Sequence, residues 1–156
     1  MGLYGSIVLA MSKGLRFLED IALADLAFEA WGETPTELFV AASEGLAEAM
    51  ANPNTVDTIW QQDIQLSQGS LKDLLFDWLS QLVFLKDAES VVFHGVQVQV
   101  WEDTDQKTWQ VRGTVLGEPI DQTRQELRAD VKAVTKHMYE VEEHPGRYRT
   151  RVVLDV

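Results

Sequence analysis

The chain has no cysteine in its 156 residues, which excludes disulfides, thiolate zinc sites and a cysteine nucleophile and is compatible with a reducing cytoplasm. Cations are scarce as well: 13 Lys and Arg stand against 25 Asp and Glu, a formal net charge of -12. That balance repels nucleic-acid phosphate, so any link to RNA is expected to be indirect, while a basic protein partner or bound cations suit it. Long apolar runs are missing too. The stretch Ile7 to Met11 is too short to span a bilayer and follows no basic region, so neither a membrane anchor nor a signal peptide is expected. Walker-type glycine loops, Gly-x-Ser-x-Gly elbows and paired histidines are all absent.

What is present is an apolar content of 46%, enough for one folded domain with a sizeable core. Residues 1–16 carry three glycines and little periodicity, reading as an extension or a short extra strand before a domain at 17–156. Leu26, Phe28 and Ala30 alternate with Ala27, Glu29 and Trp31, which is strand period and predicts a strand over 25–31 entered at Asp25. Thr34-Pro-Thr-Glu37 predicts a helix start, and Asn52-Pro53-Asn54 its stop. A strand over 58–66 comes next. Ser70-Leu-Lys-Asp73 then opens a second helix whose apolar positions, from Leu71 to Leu85, cover more than one face and place it in the core.

Val91 to Trp101 and Trp109 to Leu116 predict a hairpin around the polar turn 102–107. The segment 117–130 reads as a turn followed by a short helix or loop. A long strand over 131–141 follows, with Val131, Ala133, Thr135, His137 and Tyr139 expected on one face. The turn at 142–146 returns the chain as a final strand ending Val152-Val-Leu-Asp-Val156. Hairpin geometry makes these last two strands antiparallel neighbours, so Asp155 is expected beside Val131 and Lys132. The order of elements predicts an α+β fold, two helices packed on one curved or split, largely antiparallel sheet.

The chemistry-bearing residues gather at the strand ends. Asp155 and the Val156 carboxylate are either a hard-cation site in need of a further carboxylate or a strand end meeting solvent. His137 is expected to be a packed, hydrogen-bonded residue beside Tyr139, with metal ligation as the other option.

These pieces resemble the archease family. The matching text is Ala24-Asp25 with Glu29-Ala-Trp-Gly32, Glu37-Leu-Phe39, Asp73-Leu-Leu-Phe-Asp-Trp-Leu79, Val92-Phe93, Gly117-Glu-Pro119, Arg124 with Glu126-Leu127, Val131-Lys-Ala-Val-Thr135 with His137, and Leu154-Asp155-Val156. The resemblance implies a non-enzymatic, cytoplasmic protein that activates an RtcB-type RNA ligase in tRNA splicing, promoting guanylylation of the ligase and multiple turnover. It implies a metal site, commonly with calcium, on Asp25, Asp155 and Val156, and a functional lysine at Lys132. Magnesium fits the same hard oxygen ligands, which suit zinc less well. The family's Glu-His-Thr-Ala-Asp pattern is replaced here by Glu19-Asp-Ile-Ala-Leu-Ala-Asp25, so Asp20 is either a substitute carboxylate or surface charge. Gln125 stands where many relatives have histidine. The other readings are a metal-dependent hydrolase built on Asp25 and Asp155 and a metal-independent, chaperone-like interaction module.

Overall fold

The computed structural model describes residues 13–18 and 25–156. Asp20 and the run before Lys13 lie outside the described residues. Strands β1 (Gly14–Leu18) and β2 (Asp25–Gly32) precede helix α1 (Pro35–Met50), strand β3 (Trp60–Gln68) and helix α2 (Leu71–Glu89). Strands β4 (Val91–Asp103), β5 (Thr108–Pro119), β6 (Ala133–His144) and β7 (Arg147–Asp155) complete the fold. The strands form two antiparallel sheets, one ordered β1-β2-β7-β6 and one ordered β3-β5-β4, so the sheet is split as the α+β reading allowed.

Both helices begin where their sequences say. The Thr34 hydroxyl accepts from Glu37 N at 3.1 Å and the Ser70 hydroxyl from Asp73 N at 3.1 Å, each satisfying a donor that the first helical turn leaves open. The Glu37 carboxylate reaches back to Glu33 N at 3.3 Å, one residue earlier than a standard capping box. Helix α1 ends at Met50, and the Asn52-Pro-Asn stop forms a 3-10 turn over Pro53–Thr55.

α1 packs on β2 and β4, and α2 packs on β6 and the three-stranded sheet. One core therefore serves both sheets. Trp78, Phe28, Phe39 and Phe93 are its largest fully buried side chains. At the crossing of α1 with β2 the helix carries Gly45, where a Cβ would fall 2.6 Å from Phe28 Cε2, so the close approach requires glycine. The helices meet through a buried polar contact: Trp78 Nε1 donates to Ser43 Oγ at 2.9 Å, and Ser43 Oγ donates to Phe39 O at 2.7 Å.

Two expectations are corrected. β5 continues through Gly117 and Glu118 to Pro119, so that part of the expected turn is strand. The 121–130 segment, read as a short helix or loop, makes turns without a regular helix, which is the loop alternative. The uninterrupted alternation expected over 131–141 does not occur. Between the pairs Thr135 with Val153 and Glu140 with Arg151, β6 passes four residues (136–139) while β7 passes one, Val152. That bulge places Met138 in the left-handed region (φ 55) and turns Lys136, His137 and Met138 to the exterior. His137 is exposed rather than packed, while Tyr139 turns inward to donate its hydroxyl to Lys72 O at 2.6 Å. Burial pushes the Tyr139 phenol well above its ordinary value.

Candidate functional site

Strand register brings the two ends of the domain's sequence together. β2 and β7 are antiparallel neighbours, and their first and last paired positions are Asp25 and Asp155, directly opposite one another; Ala133 of β6 faces Asp155 from the other side. Opposed residues point to the same face of a sheet. Leu26, Phe28, Ala30, Val152 and Leu154 point into the core, so the alternate positions, including both aspartates, lie on the face turned away from the helices.

That face is a lattice of cross-strand rows. One row runs Gly14, Trp31, Arg149, Glu142, and the next runs Arg16, Glu29, Arg151, Glu140. Leu18, Ala27, Val153 and Thr135 follow, with Ala27 and Val153 fully buried, and the last row is Asp25, Asp155, Ala133. In the first two rows charges alternate and neutralise. Glu29 accepts from Arg16 at 2.7 Å and Arg149 at 3.1 Å, and Arg149 also bonds Glu140 at 2.7 Å and Glu142 at 2.8 Å. The bonds to Glu142 lead in holding the Arg149 guanidinium above its ordinary range, and Arg149 in turn holds the Glu142 carboxyl below its own.

The Asp25 and Asp155 row is different. Both side chains are half-buried, and none of the ion pairs among the described residues engages either carboxylate. Directly opposed residues have Cβ atoms about 4.5 to 5.5 Å apart, a separation at which two carboxylates repel. Lys132 is exposed and joins the site through its backbone, its N–H donating to Asp155 O at 2.8 Å. Val156 is half-buried and packs on the core edge. Asp25, Asp155, Val156 and Lys132 are thus neighbours, whereas His137 belongs to the exposed bulge of β6. Among the described residues no group of three His, Cys, Asp or Glu side chains converges, so the described carboxylates supply two hard oxygen donors. Two facing, half-buried carboxylates with no ion-pair partner among the described residues are hard oxygen donors of the type that calcium or magnesium takes.

Sequence reasoning named Glu118, Arg124 and Gln125 without their contacts and missed Lys86. Glu118 is buried and accepts from Arg124 Nη2, from Gln125 Nε2 at 2.8 Å and from Asp57 N at 3.1 Å. The Arg124 bond leads in holding its carboxyl below the usual range. Gln125 also donates to Pro119 O at 3.1 Å and accepts from Asp121 N at 2.8 Å, so this position ties the turn together. Lys86, near the end of α2, is buried and bonds Asp87 and Asp130, each at 2.8 Å. Its sequence signal was its place four residues after Leu82 and three after Val83, on the helix side that faces the core.

A small α+β domain with paired acids at the end of one sheet is the class these features define. The chain belongs to the archease protein family, whose model matches residues 16–156. It is 34% identical over 133 residues to the archease of Methanopyrus kandleri, covering 85% of this chain and 94% of that one. With the archease of Methanothermobacter thermautotrophicus the identity is 33% over 144 residues, covering 92% and 99%. The solution structure of protein 1598 of Methanobacterium thermoautotrophicum superposes with a TM-score of 0.75 at 31% identity, covering 92% of this chain and 99% of that one. A crystal structure of a Thermotoga maritima archease, described as a possible chaperone, shares the fold with a TM-score of 0.57 at 18% identity, covering 90% and 98%. No helix among the described residues is long and apolar enough to cross a membrane.

Proposed function

We propose that this archease activates an RtcB-type RNA ligase in the cytoplasm, promoting guanylylation and multiple turnover in tRNA splicing, and is not itself the enzyme. The observation that carries the reading is the Asp25 and Asp155 pair, with the Lys132 backbone N–H donating to the Asp155 backbone carbonyl beside it. A divalent cation, calcium by the hard-oxygen donor set, would neutralise the two facing carboxylates when bound there. Asp25 and Asp155 hold that charge at a sheet end, the Val156 backbone adds oxygen, and the exposed Lys132 side chain is free to reach a partner's anionic group. RNA is touched only through the ligase, in keeping with the net charge of -12.

The test is ligase guanylylation in the presence of wild type, Asp155→Ala or Lys132→Ala. Stimulation is expected to fall in both variants, and full stimulation by both folded variants overturns the reading. The description of the Thermotoga maritima relative as a possible chaperone favours a second reading, a metal-independent interaction module. It predicts that stimulation survives chelation of divalent ions from the activator before mixing. Product formed from RNA ends and nucleotide without ligase would instead favour an enzyme built on Asp25 and Asp155.

A further inference from the structure

The segment from Ile120 to Lys132 is irregular, yet it is tied down at both ends. Ile120 N donates to Ser90 O at 2.9 Å. Arg128 N and Ala129 N donate to Met50 O and Ala49 O at 2.8 and 3.0 Å, closing carbonyls that the end of α1 leaves open. At its far end Lys132 N donates to Asp155 O at 2.8 Å. Between Ala129 and Lys132 the segment is held by Val131, fully buried in the core, and by Asp130, whose carboxylate accepts from Lys86 Nζ at 2.8 Å.

The two partners of that ion pair are unequal. The Lys86 side chain is 7% exposed and the Asp130 side chain 79%. Lys86 lies in a cleft of about 270 Å³ with Met50, Val92 and Leu127 among its walls, so apolar packing confines the ammonium while solvent leaves the carboxylate free to adjust. A lysine in the last turn of a helix complements the helix dipole equally well when it points into water. Burying it adds a desolvation cost, so the inward orientation calls for a further role. Burial alone would lower the Lys86 pKa, and the bonds to Asp130 and Asp87 outweigh it and raise the value. Asp87 also bonds Lys86, so the ammonium keeps a counterion when Asp130 is removed.

We infer that Lys86 is a positioning residue for the carboxylate site: by holding Asp130 it fixes where the segment delivers Lys132 and how Lys132 meets Asp155. The functional half of this inference rests on the reading of Lys132 and Asp155 as the activating site. Amide hydrogen exchange at Lys132 tests it, measured in wild type, Asp130→Ala, Lys86→Met and the double variant. Each single change is expected to speed exchange of the Lys132 N–H about fivefold, with no further gain in the double variant and no change at the Val152 amide. Ligase stimulation by Asp130→Ala is expected to drop in parallel and to return in Asp130→Glu, a rescue that loss of packing would not show. Wild-type exchange at Lys132 in Asp130→Ala, or effects of the two single changes that multiply in the double variant, overturns the inference. The exchange measurement needs no ligase. Full stimulation by both Asp155→Ala and Lys132→Ala would therefore remove the activating-site reading alone, with altered exchange still supporting the positioning role of Lys86.

Discussion

The same face of the four-stranded sheet ends in two opposite ways. At one end Arg16, Glu29, Arg149, Arg151, Glu140 and Glu142 alternate in sign and bond one another; at the other Asp25 faces Asp155 with like charge. The ends share strands and geometry, so the contrast lies in side-chain choice. Cross-strand neighbours of opposite charge stabilise a sheet, and like charges placed directly opposite destabilise it. The chain neutralises carboxylates with arginine on this very surface, and among the described residues no ion pair does so at the Asp25 row. A pair left in that state is what the proposed cation site calls for.

The largest effect expected from this contrast is ligand stabilisation. Calcium at a hundred times its dissociation constant is predicted to raise the unfolding free energy of wild type by about 2.7 kcal/mol, and to leave Asp25→Asn and Asp155→Asn unchanged. Urea unfolding with and without chelator checks this. Glu29→Gln strikes the other end, where two arginines lose a half-buried acceptor, and is expected to cost about 2 kcal/mol with or without calcium. In chelator the sign reverses at the aspartate row: Asp155→Asn is expected to stabilise by roughly 0.5 kcal/mol, because it removes a repulsion. A loss of stability in that variant would mean the pair is not under charge strain. The smallest effect is acid sensitivity at the paired end. The Glu142 carboxyl titrates lower in the folded chain than in the unfolded one, so its contribution is present above its ordinary value of 4.5 and is lost as pH falls through the folded value. Glu142→Gln should therefore flatten the decline in stability over that acid range.

Much of this arrangement could be read from the sequence. Thr34-Pro35 and Ser70 marked helix starts through side-chain caps that act within a few residues, and such signals need no tertiary context. The alternation after Asp25 gave the β2 faces, and hairpin logic put Asp155 beside Lys132. The pairing of β2 with β7, which brings Asp25 opposite Asp155, joins residues from opposite ends of the sequence; the family resemblance implied it and pattern alone did not. The bulge at 136–139 was hidden because its residues keep a plausible alternation, and only pairing with Val152 exposes the extra length. His137 was misplaced for that reason. Lys86 was missed because its partner Asp130 lies in an irregular segment, where neither period nor cap fixes position.

The account turns on the two ends of the sheet face having different duties. The most direct measurement is guanylylation of the cognate ligase stimulated by Asp25→Asn, Asp155→Asn and Glu29→Gln, each confirmed folded. Stimulation is predicted to be lost in both aspartate variants and kept in Glu29→Gln. The reverse pattern, with stimulation kept without the aspartates and lost with Glu29, would contradict it and move the working surface to the arginine lattice.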